Sequence, residues 1–573
     1  MRFSFTRRIF QIALIRAARH PRSLLTAVLA ALILSSCAAP TQNFPEPFTP
    51  TASLPSPSAT PFQPTPTSAP TRTPDPPTLW IDSELPEHLA EAVIIPESYL
   101  TADSRSAADV NMGLEGDTLL GYWTLTLAVR FDSLEEDRKI SQLKALWSGR
   151  ENGGQDPYQL YLDPETHQLL SAVWGPPDDQ TVKVIPSGSD LLEVADRPDF
   201  LTILPFQDLS PELKVLAVNG QKPLWPEFSP SDHPLAIPLY LSGSQEAVQD
   251  VLEANPGWGN LQRDQLTRLA MTGVTALVRA TAWTMEQEGI LYPALDIKPI
   301  FDRADLTHIS NEVPFDEDCP APDLDQPDLY FCSADRYLEL LEYIGTDIVE
   351  LTGDHFGDRG PQAMLHTLEL YEKQGWATYG GGRNLQAGLQ PITFSHHGNK
   401  LAFIGCNAKG GKYATAADQK PGSAACDFDW MTDEISRLSE QGYLVIATMQ
   451  HDEYYSFQAN YLQIRDFRNL AEAGAAVVSG SQAHQPQTLE FHSGAFIHYG
   501  LGNLFFDQFR VAKYVEQFKD TDRAFIDLHY FYRGRHISTE LYTIKFIDYA
   551  RSRRMTPEER RDLLEAVFDA QPR

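Results

Sequence analysis

Three short apolar runs, each closing on a polar loop that carries a histidine, constrain this chain more than any other feature. Residues 348–351 lead into Thr352-Gly353-Asp354-His355. Residues 443–448 lead into Gln450-His451-Asp452-Glu453, and residues 475–479 into Gly480-Ser481-Gln482-Ala483-His484. The runs have the length and β-branched content of buried strands, and the segments between them carry helical spacing. Strand, polar loop, helix is the α/β pattern that presents reactive groups at the carboxyl ends of strands. Three histidines at three such ends point to one shared site, the alternative being scattered surface or core histidines.

The stretch 346–360, T-D-I-V-E-L-T-G-D-H-F-G-D-R-G, is the densest of these. It places Asp354, His355 and Asp358 within five residues, and Pro361 follows where a helix would start. A carboxylate beside an imidazole suits metal ligation or acid–base work. The same residues also suit a capped turn with a solvated ion-pairing loop.

Flanking secondary structure follows from periodicity. Residues 333–345 and 361–375 read as helices ended by Gly345 and Gly375, and 428–441 as another. Residues 392–394 and 400–405 flank His397-Gly398-Asn399 as a hairpin, and 488–492 and 495–499 form a second around Ser493-Gly494. Thr556-Pro557-Glu558-Glu559 is a capping box opening a terminal helix to about Ala570. His308, His366, His396, His397, His492 and His498 read as structural.

Residues 1–36 hold six arginines and no acid, and residues 24–34 are a continuous apolar run of the length of a secretory h-region. Leu34-Ser35-Ser36-Cys37 resembles the bacterial lipobox, which implies acylation of Cys37; an uncleaved anchor would give the same membrane attachment. Residues 37–77 form a tether, with thirteen prolines from 38 to 77 that cannot bury a core. The formal charge of −31 leaves nucleic acid an unsuitable partner, since phosphate neutralisation needs Lys and Arg. Cys319, Cys332, Cys406 and Cys426 fit two disulfides in an exported chain, with 319–332 and 406–426 the close pairs. Sequence leaves the connectivity open, and a zinc cluster is the alternative.

Residues 78–258 read as a first α/β module: strands at 124–131, 200–206 and 214–218, and a helix at 140–147. Leu143–Gly149 (L-K-A-L-W-S-G) and the later I-L-P-F-Q-D-L…L-K-V-L-A-V-N-G resemble periplasmic phosphate-type solute-binding proteins. Residues 262–548 form a second module, and 549–573 carry the terminal helix.

The second module resembles the CapA (poly-γ-glutamate capsule biosynthesis) family. Thr272–Arg279 (T-G-V-T-A-L-V-R) is similar to its opening G-D-x-M-L-x-R strand, and Asn311-Glu312-Val313-Pro314 to N-L-E-x-P. Residues 353–360 resemble N-N-H-x-x-D-x-G, and Tyr379–Asn384 the G-x-G-x-N turn. His451–Tyr454 resembles H-W-G-x-E-Y, residues 480–487 G-H-H-P-H-x-x-Q, and residues 499–507 Y-S-L-G-N-F-x-F-D. The resemblance implies a calcineurin-like metallophosphoesterase-type β-sandwich flanked by helices. It implies Glu312, Asp354, His355 and His484 as ligands of one divalent metal (Mn, Fe or Zn), with His451 or Asp358 as acid or base. Asn311, Arg279, Arg383 and Asn503 become substrate-binding candidates, and Arg359, Lys409 and Lys412 further cations for a polyanion. The chain departs from the pattern at Val274, where the family has an acid, and at Gln482, where it has a second histidine.

Two functions follow as expectations. One is a surface hydrolase or transferase acting on a phosphorylated small molecule or an anionic capsular polymer. The other is a non-catalytic lipoprotein that binds such a polymer alongside capsule-assembly membrane proteins.

Overall fold

In a computed structural model, residues 75–150, 156–186, 188–511 and 515–572 are described. The expected signal segment, Cys37 and nearly all of the expected tether lie outside them. Residues from Pro77 onward form one compact unit. Among the described residues no helix is long and apolar enough to cross a membrane.

The first module is built on a ten-stranded mixed sheet whose spine is Thr118–Arg130, an alternating apolar strand that is fully buried from Trp123 to Val129. Phe200–Pro205 and Leu213–Val218 pair with its second half and Ala236–Gly243 with its first. Helices Ile140–Trp147, Pro164–Trp174 and Gln245–Ala254 cover it, and Asp163 and Ser244 cap two of them by accepting from backbone N–H groups, as short polar N-cap residues do.

The second module is a sandwich of two sheets. The nine-stranded sheet runs Ala377–Tyr379, Ile348–Glu350, Leu306–Asn311, Leu266–Thr272, Arg523–Tyr532, Arg535–Phe546, Ser552–Arg554, with Val274–Thr275 paired to Leu306–Asn311 off this path and Asn503–Phe505 paired to Val274–Thr275 in turn. The six-stranded sheet runs Ile392–His396, Asn399–Asn407, Leu444–Gln450, Val477–Ser479, Ala495–His498, Leu489–His492. Between them lies a core of Leu269, Met271, Ile348, Phe403, Ile446, Val477, Phe496 and Phe525. Helices Leu338–Ile344 and Gly360–Gln374 pack outside the first sheet, and Phe428–Glu440 and Tyr461–Glu472 outside the second. The architecture is the expected α/β sandwich flanked by helices and preceded by a smaller α/β domain.

Local signals explain the boundaries. Gly345 and Gly375 end their helices at φ 83° and 77°, the left-handed conformation glycine adopts without strain. His397 and Gly398 both have positive φ, giving the two-residue turn that matches strand twist. The helix expected at 333–345 is shorter, because Asp335–Tyr337 forms a tighter 3-10 turn before Leu338. Cys319–Cys332 and Cys406–Cys426 are both disulfides, so the zinc alternative falls away. Thr556 caps Pro557–Asp569, whose Leu563, Leu564 and Val567 enter the sandwich core.

The modules share packing. Phe131 of the first module lies 5.1 Å from Phe491 and 5.7 Å from Phe496, ring centre to ring centre. Lys222 pairs with Glu540, and Arg560 donates to Glu136.

Candidate functional site

The site begins with two neighbouring parallel strands, Leu306–Asn311 and Ile348–Glu350, in register at Ser310 and Glu350. Both stop at the same level, so the residues after them share one edge. Glu312 follows the first, and Asp354 and His355 follow the second in a 3-10 turn, Asp354–Gly357. Gly353 permits the approach: a Cβ there would lie 2.6 Å from both the Cα and the carbonyl oxygen of Glu312. As a result Glu312, Asp354 and His355 present ligand atoms within 4.8 Å of one another.

Asp358 orients the imidazole. His355 Nδ1 donates to Asp358 Oδ2 at 2.7 Å, and the same oxygen accepts from Phe331 N at 2.8 Å. A carboxylate can only accept, so the hydrogen sits on Nδ1 and the Nε2 lone pair remains for a ligand. Burial opposes the charge on His355, but Asp358, Glu312 and Asp354 together raise its pKa.

His484 reaches the same edge from the six-stranded sheet. Its Nδ1 donates to Asn503 Oδ1 at 2.9 Å, and Asn503 Nδ2 donates to Thr521 O. Its Nε2 lies 3.4 Å from Glu312 Oε1 and 3.8 Å from Glu453 Oε1. Burial alone would lower this imidazole, yet Glu312 and then Glu453 raise it to about 9. His484 therefore faces Glu312 as its ion-pair partner, beside the group of three.

Lys409 enters as a built-in cation. Its Nζ lies 2.7 Å from Asp354 Oδ2 and also pairs with Glu453. The other Asp354 oxygen accepts from Gln450 Nε2 at 2.8 Å, and Gln450 is held in turn by Asn407 Nδ2 at 3.0 Å. Desolvation would protonate Asp354, but Lys409 and His355 keep its carboxyl below the usual range. Glu453 is likewise held at about 2, against burial, by His484 and Lys409.

The remaining sequence candidates are placed differently. Arg279 is buried between the Phe331 and Phe506 rings and donates to Asp507, so it braces the wall behind His355 and His484. Asn311 Nδ2 donates to Val313 O, leaving its buried Oδ1 without a partner. His451 turns its Nε2 to Asp466 of helix Tyr461–Glu472, at 3.1 Å. Arg383 pairs with Glu372 on helix Gly360–Gln374, and Arg359 with Asp316. No described contact joins His451, Arg383 or Arg359 to Glu312, Asp354 or His355.

Sequence reasoning missed Glu453, Tyr413 and Glu350, and named Lys409 only as a cation for a polyanion. Glu453 and Lys409 were visible as residues but not as a pair, because they belong to different loops. Tyr413 was not singled out. Its backbone packs on Gly357, where a Cβ would lie 2.5 Å from Tyr413 O, and burial with the charges of Asp354 and Asp358 pushes its phenol up. Beneath the edge, the fully buried Glu350 accepts from Thr352 Oγ1 at 2.6 Å and from Ser481 Oγ, and burial raises its carboxyl. An acid inside a strand gave no such signal.

The residues fit one divalent cation. Glu312 Oε1 is buried with no formed hydrogen bond, its ion-pair partner being His484 Nε2 at 3.4 Å, and the Gln482 amide is buried with both polar atoms unpartnered. Two carboxylates and an imidazole suit Mn, Fe or Zn. They do not fit two cations. Val274 lies in an apolar cluster with Val313, Phe331 and Phe506, and the Lys409 ammonium already bridges Asp354 and Glu453.

Residues 268–508 match the model of the family described as bacterial capsule synthesis protein PGA_cap. The PGA biosynthesis protein CapA of Bacillus subtilis (strain 168) is 23% identical over 248 residues, 43% of this chain and 64% of that protein. The capsule biosynthesis protein CapA of Bacillus anthracis is 21% identical over 252 residues, 43% of this chain and 61% of that protein. The chain thus spans somewhat under two thirds of the length of these relatives. Among solved structures, an ABC-type phosphate transport receptor from Vibrio cholerae gives a TM-score of 0.24 at 15% identity, covering 31% of this chain and 91% of that one. A 5'-nucleotidase precursor from Thermus thermophilus gives 0.31 at 14%, covering 53% and 58%. The segment that carries Glu312, Asp354, His355 and His484 is thus the one that matches the model of the bacterial capsule synthesis protein PGA_cap family.

Proposed function

We propose that this protein serves bacterial capsule biosynthesis at the extracytoplasmic face of the membrane, held there through Cys37, and that its Glu312–Asp354–His355 edge handles an anionic capsular polymer of the poly-γ-glutamate type. The observation that carries this reading is the convergence of those three side chains within 4.8 Å, with the imidazole oriented by Asp358. The names of the two CapA relatives support the capsule role.

Glu312, Asp354 and His355 would hold one divalent ion. When bound, it would polarise a carbonyl or phosphoryl oxygen and lower the pKa of a bound water. The chain's own residues do the rest. Asp358 fixes the His355 ring. Lys409 neutralises Asp354 and Glu453 and would offer positive charge to an arriving polyanion, and His484 would donate a proton. Tyr413, half exposed at the loop edge, is placed to contact the substrate. Capsule-assembly membrane proteins would be its partners.

A second reading, a polymer-binding lipoprotein without chemistry, is favoured by the Lys409 ammonium, which already neutralises Asp354 and Glu453. Incubating the full chain with poly-γ-glutamate and with p-nitrophenyl phosphate separates the two. Chain shortening or nitrophenol release that Glu312→Gln abolishes supports the hydrolase. Retained polymer binding without turnover supports the scaffold, and neither binding nor turnover contradicts both.

A further inference from the structure

A cleft of about 520 Å³ opens between the two modules, away from the edge just described, with which it shares no lining residue. One wall comes from strand Leu213–Val218 and the turn after it, and the other from strand Arg535–Phe546 and helix Pro557–Asp569. Five cationic side chains line it, Lys214, Lys222, Arg303, Arg554 and Arg560, against three acids, Glu136, Asp137 and Glu540. In a chain of formal charge −31, a cleft with excess positive charge is a local reversal of sign.

The internal pairing shows which cations are committed. Glu540 accepts from Lys222, from Trp225 Nε1 at 3.1 Å and from the hydroxyls of Tyr530 and Tyr542, so Lys222 and Glu540 form a closed buried pair. Arg303 lies 4.1 Å over the Trp225 ring and pairs with Glu227. Lys214 and Arg560 have one carboxylate oxygen between them, Glu136 Oε1, at 2.8 Å from each. The Lys214 side chain is 13% exposed whereas that of Glu136 is 49% exposed, so Glu136 is the solvent-facing member of the group, its carboxyl held at about 2 against burial by Lys214, Arg560 and Lys222. Burial pulls the Lys214 ammonium down to about 8 despite Glu136, and a further anion there would offset that cost by charge attraction. Phe131, Leu541, Leu564 and Phe568 supply an apolar floor. Apolar walls with a few convergent charges, at this volume, describe a small-molecule pocket rather than a packing defect.

We propose that this cleft is a second ligand site that takes a small organic anion, its phosphate or carboxylate head on Lys214 and Arg560 and its apolar body along Phe131, Leu564 and Phe568. Because both modules build the walls, the ligand would also brace them against each other.

The test is calorimetric titration of the full chain with phenylphosphonate, which has no cleavable ester, and with inorganic phosphate. Phenylphosphonate is expected to bind saturably, with a dissociation constant below about 1 mM. Inorganic phosphate, lacking the apolar body, should bind at least tenfold more weakly. Lys214→Met and Arg560→Met should each weaken phenylphosphonate at least tenfold, Lys214→Arg should retain it, and His355→Ala should leave it unchanged. If Arg560→Met fails to fold, the Lys214 pair of variants decides. Absence of saturable binding, unchanged binding in Lys214→Met, or loss of binding in His355→Ala would overturn the site. Equal affinity for the two probes would overturn the apolar half of the proposal.

Discussion

Lys409 Nζ lies 2.7 Å from Asp354 Oδ2, so the carboxylate that would bind a metal is already paired with an ammonium of its own chain. The two cations compete for one charge. Lys409→Met is therefore expected to tighten divalent binding about tenfold, the factor given by about 1.4 kcal/mol. Manganese titration of wild type and variant reads this directly, and equal affinities would show that Lys409 moves aside without cost.

Asp358 acts through His355 rather than on a ligand. Asp358→Asn can offer an amide N–H to the ring and so reverse the tautomer. Loss of such an orienting carboxylate typically lowers metal affinity about 10–100-fold. The same titration should show that drop while the far-UV circular dichroism spectrum stays unchanged. An unaltered affinity would mean that packing against Phe331 alone holds the ring.

How much of this was legible in the sequence depends on how local each feature is. The Asp354-His355-x-x-Asp358 spacing, the strand ends and the caps are short-range, and the structure places them as their spacing suggests. The Glu453–Lys409 pair and the Glu350–Ser481 hydrogen bond join loops far apart in the chain, and no periodicity announces them. Arg383 shows the opposite error. It lies within a family-like turn, yet the helix beside it offers Glu372, and that nearer carboxylate takes it. The inter-module cleft was invisible because its cations come from three separate segments.

Gly353 is the hinge of the edge. An alanine there drives a methyl group against Glu312 backbone, which has no room to yield. Gly353→Ala should cost about 1–3 kcal/mol in urea unfolding and part Glu312 from Asp354. A variant of wild-type stability would show that the strand ends tolerate more separation than the close approach suggests.

Four buried histidines, His233, His308, His529 and His536, set an acid limit on stability, burial holding His529 well below the ordinary range. Burial lowers His308 to about 3 and His233 and His536 to about 4. Unfolded histidine binds its proton near 6.5, so between that value and about 3–4 the unfolded chain holds more protons than the folded one. Their contribution is complete above pH 6.5 and is lost as pH falls toward 4. The slope approaches about 1.4 kcal/mol per pH unit for each such histidine. Urea midpoints should fall from pH 7.5 to pH 5, and fall less in His536→Gln. A steeper fall in the variant would contradict the assignment.

The central claim is that Glu312, Asp354 and His355 form a site for one cation. Elemental analysis of the purified full chain, loaded with manganese or zinc and desalted, tests it beside a Glu312→Gln, His355→Ala double variant. The account predicts about one ion per wild-type chain and none in the variant. Two ions per chain, or none, or equal content in both proteins, would contradict it.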